Sequence, residues 1–351
     1  MKIAELMKQA EEALLKCFEE IPFAAVERIS EDVTVNGKSP DLLMAVCLPE
    51  KKRQLLVEVK EKGQPKPVRE GVNQILQYRE LHPEMYGVLI APYISPRAAQ
   101  ICTQAGVGYL DLAGNCSIAF DQVFIKVDGR ENPFTRERSL HSLYSPKASR
   151  ILRVLLTNPI NKVWKVKELS EESNVSIGHV SNVKQLLDER EWITQLEVGF
   201  SLRDPRALLD EWSENYSYRK NMVHDYYALG GISEIEEALA DACRELSIKY
   251  ALTGFSGVAR LAPTVRYQRV MTYVMGGIDQ LAQRIDLKGV TSGANVSLLV
   301  PYDNGVFYGS EVSNSYTIAS SIQIYLDLLG FRGRGEEASE ALMEQVIRLK
   351  W

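Results

Sequence analysis

Residues 168–193 read ELSEESNVSIGHVSNVKQLLDEREWI, and the organisation of the whole chain turns on them. Lys167–Ser173 has helical spacing with Leu169 inward, and Asn174–Val175 makes a tight turn. Ser176 is placed to cap a further helix from Ile177 to about Glu189. On that helix Val175, Ile177, Val180, Val183, Leu186 and Leu187 fall at core positions. Ser176, Gly178, His179, Ser181, Asn182 and Gln185 are left facing outward. Working outward, SRILRVLLTN (149–158) is an amphipathic helix and KVWKV (162–166) a short strand. WITQLEVGFSLRDP (192–205) gives two strands about Gly199.

This order of helix, strand, helix, turn, helix and hairpin resembles the winged helix-turn-helix superfamily over about 55–60 residues. The resemblance implies binding to double-stranded DNA, with the N-terminal half of the third helix in the major groove. Candidate DNA-binding residues are Ser176, Gly178, His179, Asn182 and Gln185 at the bases, with Lys184 and Arg203 at phosphates beside Lys162 and Lys165. Asn and Gln can pair with adenine at two points, whereas phosphate contacts position without specifying sequence. Charge agrees locally: Arg136 to Arg190 holds ten Lys/Arg against six Asp/Glu, in a chain of net charge −5. Winged helices also dock proteins, so an adaptor is the reading from another class.

Upstream, Met1 to Asp128 reads as α/β, with helices near Ile3–Glu20, Val68–Arg79 and Pro96–Gln104. Strands are expected near Pro40–Leu48, Gln54–Val59, Tyr86–Ile90 and Tyr109–Leu112, with a further pair near Ser117–Val127. Asp41 opens one strand and Glu58-Val59-Lys60 closes the next, so Glu58 and Lys60 share a face. If the two strands form a hairpin, Asp41 falls beside Glu58. Two carboxylates can hold Mg²⁺ while a lysine orients a water for attack on phosphorus. Gln74 and Tyr78 follow one helical turn apart. Pro-Asp, ExK and QxxxY in this spacing resemble the PD-(D/E)xK nuclease superfamily. The resemblance implies a restriction-endonuclease-like domain with Asp41, Glu58, Lys60 and Gln74 as candidate catalytic residues and Asp41 and Glu58 as metal ligands. Glu12, Glu19 and Glu20 are the acids a first helix could add.

Beyond the hairpin, KYALTGFSGVARLAP (249–263) breaks from a strand into Gly254-x-Ser256-Gly257 and a helix. It resembles the opening of a nucleotidyltransferase fold. The following RVMTYVM (269–275) carries no acid, and Asp279 and Asp286 are badly spaced, so two-metal nucleotidyl transfer is not expected. The tail SSIQIYLDLLGFRGRGEEASEALMEQVI (320–347) resembles the C-terminal signature of the AbiEi-type antitoxin and transcriptional-regulator family of type IV toxin–antitoxin systems. That resemblance implies a DNA-binding regulator, a degenerate nucleotidyltransferase-like C-terminal domain and a cognate toxin. The nuclease-like N-terminal domain departs from the plain antitoxin layout. By themselves, Gln323, Tyr325 and Asp327 read as strand or edge-helix residues, and Gly333 and Gly335 as turns flanking a helix start.

The fold class is therefore multidomain α/β. Residues 1–128 are expected to form the nuclease-like domain, 129–146 a linker, 147–215 the winged helix-turn-helix and 216–351 the nucleotidyltransferase-like domain. Five dispersed cysteines argue against a disulfide framework, and no apolar run is long enough to span a membrane, so a cytoplasmic protein is expected. A homodimer would suit paired DNA half-sites. The leading reading is a transcriptional regulator; the alternative is a Mg²⁺-dependent DNA endonuclease targeted by its winged helix.

Overall fold

A computed structural model describes residues 3–19, 21–28, 39–134, 143–264 and 266–351. Glu20 and residues 135–142 of the expected linker lie outside the described residues. Contacts divide the chain into two compact units, Met1–Glu137 with Asp188–Glu191, and Arg138–Leu187 with Trp192–Trp351. Both are mixed α/β. No described helix is long and apolar enough to cross a membrane.

The first unit runs α1 (Ile3–Glu19), β1 (Ala25–Arg28), β2 (Leu42–Cys47), β3 (Lys52–Val59), α2 (Pro65–Leu81) and β4 (Tyr86–Ala91). It continues through α3 (Pro96–Gln104), β5 (Gly108–Asp111), β6 (Cys116–Phe120) and β7 (Val123–Val127). The seven strands lie in sequence order in one sheet. The pairs β3–β4 and β4–β5 are parallel and the others antiparallel. Parallel neighbours need crossovers, and α2 and α3 supply them. One face of the sheet buries Leu55, Val57, Val88 and Ile90 against Ala10, Leu14 and Phe18 of α1. The opposite face packs Leu89 and Ala91 against Val68, Val72 and Ile75 of α2 and Ala98 of α3. Burial on both faces explains the apolar runs of β2 and β4. Ser95 caps α3 by accepting from Ala98 N, with Pro96 next, as the sequence requires. The short strand β1 has no alternation to announce it and was not expected.

The second unit opens with α4 (Pro146–Thr157), α5 (Val166–Ser173), α6 (Ile177–Glu189), β8 (Ile193–Leu196) and β9 (Gly199–Leu202). The expected KVWKV strand reduces to a single bridge, Trp164 with Phe200, because α5 already starts at Val166. Asn174, at φ +52°, turns the chain from α5 into α6. An unexpected helix, α7 (Pro205–Glu214), follows β9 and is capped by Asp204. Then come β10 (Met222–Tyr227), α8 (Ile232–Glu245), β11 (Tyr250–Leu252), α9 (Gly254–Leu261), β12 (Val270–Val274) and α10 (Ile278–Arg284). The chain ends through β13 (Lys288–Gly289), β14 (Val296–Val300), β15 (Glu311–Ser313), β16 (Tyr316–Ile318), α11 (Ser321–Leu328) and α12 (Arg334–Leu342). Their sheet has the order β13-β10-β14-β12-β11-β16-β15.

The three helices and hairpin share one core with this sheet: Leu152 and Leu155 of α4 and Trp212 of α7 belong to the same cluster as Tyr273, Leu299 and Ile324. Polar groups reinforce the junction. Arg150 Nε and Nη2 pair with the Asp303 carboxylate at 2.8–3.0 Å. Fully buried Arg153 donates from Nε and Nη2 to Gln323 Oε1 at 2.9 and 2.7 Å, and its guanidinium sits 5.1 Å from the Trp212 ring centre. Gln323 Nε2 in turn reaches Asp327 Oδ1 at 3.0 Å. Asp327 is wholly buried and also accepts from the hydroxyls of Tyr216 (2.6 Å), Tyr273 (2.9 Å) and Thr253 (2.5 Å). A buried carboxylate with four donors is satisfied by hydrogen bonding, and Arg153 balances its charge through Gln323. Gln323 and Asp327 are thus interior polar groups of α11, whose eight residues are all buried, rather than strand or edge positions.

Candidate functional site

Two sets of residues singled out in the sequence come together, one in each unit. In the first unit, the β2–β3 register pairs Leu42 with Val57, which sets Asp41 opposite Glu58. Asp41 Oδ2 accepts from Val59 N at 2.7 Å, fixing the carboxylate at the end of β3. Strand alternation sends Leu55 and Val57 toward α1, so Glu58 and Lys60 turn toward α2. There Lys60 Nζ donates to Gln74 Oε1 at 2.5 Å and to Glu58 Oε2 at 3.2 Å. Asp41, Glu58, Lys60, Gln74 and Tyr78 all line one cleft of about 590 Å³.

Electrostatics single out Glu58, which is only 3% exposed. Burial, reinforced by the Asp41 carboxylate, pushes it up to about 7, with Lys60 pulling the other way. Burial first, then the Glu58 and Asp41 carboxylates, raises the Tyr78 phenol. α1 turns Ile3, Leu6 and Met7 to the cleft, so neither Glu12 nor Glu19 lines it. Among the described residues no three His, Cys, Asp or Glu side chains gather into a metal-holding group. The donor set is therefore two carboxylates. Hard oxygen ligands of this kind suit Mg²⁺, which commonly takes one or two carboxylates and completes its shell with water and phosphate.

A residue that sequence reading missed makes the arrangement fit. A Cβ built on Gly71 would meet Lys60 Cε and Leu89 Cδ1 at 2.7 Å. With glycine there the helix lies over the lysine without displacing the ends of the Lys60 and Leu89 side chains. A glycine in a helix interior costs about 1 kcal/mol against alanine, and such an uncompensated residue is the signal that could have found it.

In the second unit, α6 carries the candidate DNA-binding residues. Ser176, Gly178, Ser181, Asn182 and Gln185 are exposed, and His179 is half-buried. Val175, Val180, Val183 and Leu187 are buried and Leu186 packs partly beneath. Ile177 was expected in the core and is instead 54% exposed: as the first helical residue it precedes the buried Val180 stripe and turns outward with Gly178. The outer face is thus uncharged, polar and small, with one apolar side chain. Lys184 Nζ lies 5.4 Å from the Phe200 ring centre, so its stem packs on the hairpin. Lys162 pairs with Glu168 at 3.5 Å and sits over the Trp164 ring. Arg203 and Lys165 are exposed. Leu196 at the end of β8 and Val198 in the turn before β9 are exposed, and the turn brings no cation.

Residues 201–348 match the family model described as "Transcriptional regulator, AbiEi antitoxin, Type IV TA system". The matched AbiEi segment begins inside the hairpin and includes α7, the seven-stranded sheet and α11, hence Gln323 and Asp327. No curated protein matches the chain. Among solved structures the chain is similar to one titled "Structure of EndoMS-dsDNA2 complex", at 14% identity and a TM-score of 0.21. That alignment covers 29% of this chain and 43% of the other, so the chain spans less than half the length of that structure. Within the matched segment, Gly254 adopts φ +53° and Ser256 Oγ accepts from Met271 N at 3.1 Å. The buried Ser256 hydroxyl thus braces β12 against the start of α9.

Proposed function

We propose that this protein is a DNA-binding transcriptional regulator of the AbiEi antitoxin type. The observation that carries the reading is the family match over residues 201–348. The exposed face of α6 supports it, because small polar residues and amides suit base edges in the major groove. In this reading residues 147–215 act as a winged helix-turn-helix and 216–351 as a nucleotidyltransferase-like domain without its acids. Residues 1–128 act as a restriction-endonuclease-like domain, and 129–146 link it. Base contacts fall to Ser176, Gly178, His179, Asn182 and Gln185, and phosphate contacts to Lys184 and Arg203. A toxin encoded with it, a homodimer on paired half-sites and a cytoplasmic location belong to the same reading. The test is a mobility-shift titration of the full chain against duplex DNA from upstream of its own gene, at several salt concentrations. Saturable binding that weakens as salt rises and survives excess random competitor is expected. Failure to shift any duplex at low salt overturns the proposal.

A second reading is favoured by one specific observation, the convergence of Asp41, Glu58, Lys60 and Gln74 in a single cleft. In that reading the first unit is a Mg²⁺-dependent deoxyribonuclease. Asp41, through the oxygen not taken by Val59 N–H, and Glu58 would hold the ion. When bound, Mg²⁺ supplies Lewis-acid polarisation of a phosphodiester. Lys60 spends two of its three N–H donors on Gln74 and Glu58, which leaves one for a water or a phosphate oxygen. Gln74 fixes the ammonium, and Tyr78 closes the floor beneath Glu58. Plasmid nicking with Mg²⁺ or Mn²⁺ by the wild type, abolished in Lys60→Ala, is the expected outcome. Intact plasmid under both metals removes this reading and leaves the first standing.

A further inference from the structure

A polar cleft in the second unit is lined by residues that belong to neither set. Asp225 of β10 pairs in register with Ser297 of β14, which pairs with Met271 of β12, so the three side chains form one row across the sheet. That row, with Tyr218, Arg219, Arg269 and Phe331, lines a space of about 430 Å³, within the range of small-molecule sites. Arg219 and Arg269 line it, the Arg219 guanidinium lying 6.0 Å from the Tyr218 ring centre, and neither makes an ion pair with a carboxylate among the described residues. Arg269 is nonetheless held in place, since its Nε donates to the Ala294 carbonyl at 3.1 Å. Its terminal nitrogens remain for a ligand. Asp225 Oδ1 takes the Ser297 hydroxyl at 2.6 Å, which leaves Oδ2 as an acceptor. At the rim the Tyr218 and Phe331 rings stack 5.2 Å apart at 9°.

We propose that this cleft binds a ribonucleotide. Each part of that ligand class has a counterpart on its walls. Paired arginines recognise phosphate by forked, charge-assisted hydrogen bonds. A carboxylate with a spare oxygen accepts from a ribose hydroxyl, as acidic residues do in dinucleotide folds. A rigid pair of stacked aromatic rings offers the apolar surface a base needs. A bare anion would use the arginines alone and gain nothing from Asp225, which would repel it. The proposal is independent of DNA binding and of cleavage.

The test is isothermal titration of the full chain with the four ribonucleoside triphosphates, their 2′-deoxy counterparts and inorganic pyrophosphate. At least one ribonucleotide binds at submillimolar concentration, and more tightly than both its deoxy form and pyrophosphate. Arg219→Gln and Arg269→Gln each weaken binding about tenfold, the size of one lost charge-assisted contact. Asp225→Asn removes the preference for the ribose form. Arg219 is exposed on the rim, so its variant retains the wild-type melting temperature and isolates binding from folding. No heat with any nucleotide at millimolar concentration overturns the proposal. So does pyrophosphate binding as tightly as the nucleotides, or unchanged affinity in the Arg219→Gln/Arg269→Gln double variant.

Discussion

Glu58 in the first unit and Asp327 in the second are both carboxyl groups taken out of water, and burial makes each a weaker acid by raising its pKa. Their surroundings differ. Asp327 collects donors from Tyr216, Tyr273, Thr253 and Gln323, with Arg153 behind the amide. Glu58 has Lys60 on one oxygen and a second carboxylate, Asp41, close enough to oppose its ionisation. A buried acid surrounded by donors holds structure together. One left short of donors beside another acid, in an open cleft, is left wanting a proton or a cation.

Removing each acid would break that contrast if it were mistaken. Asp327→Ala strands Arg153 and three hydroxyls, and unfolding should be easier by about 3–5 kcal/mol. All four tryptophans, Trp164, Trp192, Trp212 and Trp351, lie in the second unit, so denaturation followed by tryptophan fluorescence reads this loss directly. A loss below about 1 kcal/mol would mean the network is not structural. Glu58 should behave in the opposite sense. Its folded value of about 7 lies above the ordinary carboxylate value, so the folded state holds the proton more tightly than the unfolded chain. Stability should be greatest below the ordinary value and fall as pH rises through 7, by roughly 3 kcal/mol in all. Circular dichroism melts between pH 5 and 8 should show this slope, and Glu58→Gln should flatten it. A wild-type slope of the reverse sign would contradict the assignment.

Smaller effects sharpen the same contrast. Lys60→Ala should reduce any Mg²⁺-dependent cleavage by at least about 10²-fold, measured by plasmid nicking, while the melt of the second unit stays unchanged. On α6, Asn182→Ala should weaken specific DNA binding by about 1–3 kcal/mol and relax one base position, read by competition binding. Gly178→Ala should stabilise the fold by about 0.5–1 kcal/mol, because an added Cβ meets nothing within 4 Å. The same methyl group should weaken DNA binding if the helix approaches bases closely there.

What could be read from the sequence follows from distance along the chain. Asp41, Glu58, Lys60, Gln74 and Tyr78 lie on two adjoining strands and the next helix, where period-two and period-3.6 spacing predict shared faces, and the cleft gathers all five. The α5–turn–α6 boundaries were legible for the same reason, and Asn174 makes the left-handed turn between the two helices. The Arg153–Gln323 contact joins residues 170 positions apart, and no local pattern announces such a meeting. Ile177 was misjudged because the first residue of a helix can turn either way before the stripe is established. Helix α7 was missed because its start, Asp204-Pro205, reads equally well as the end of a wing.

The core shared by α4 and the second sheet bears on how this molecule can be divided, in the laboratory or in evolution. The segment that the AbiEi family model matches begins at residue 201, yet the guanidinium that completes its innermost polar cluster comes from residue 153. Residues 201–348 expressed alone would lose the part of the shared apolar cluster that α4 to β8 supply and leave Gln323 Oε1 without the bonds it takes from Arg153. A family boundary drawn by similarity therefore runs through the middle of a folding unit. A recombination event that transplanted the matched segment would have to carry the preceding helices with it.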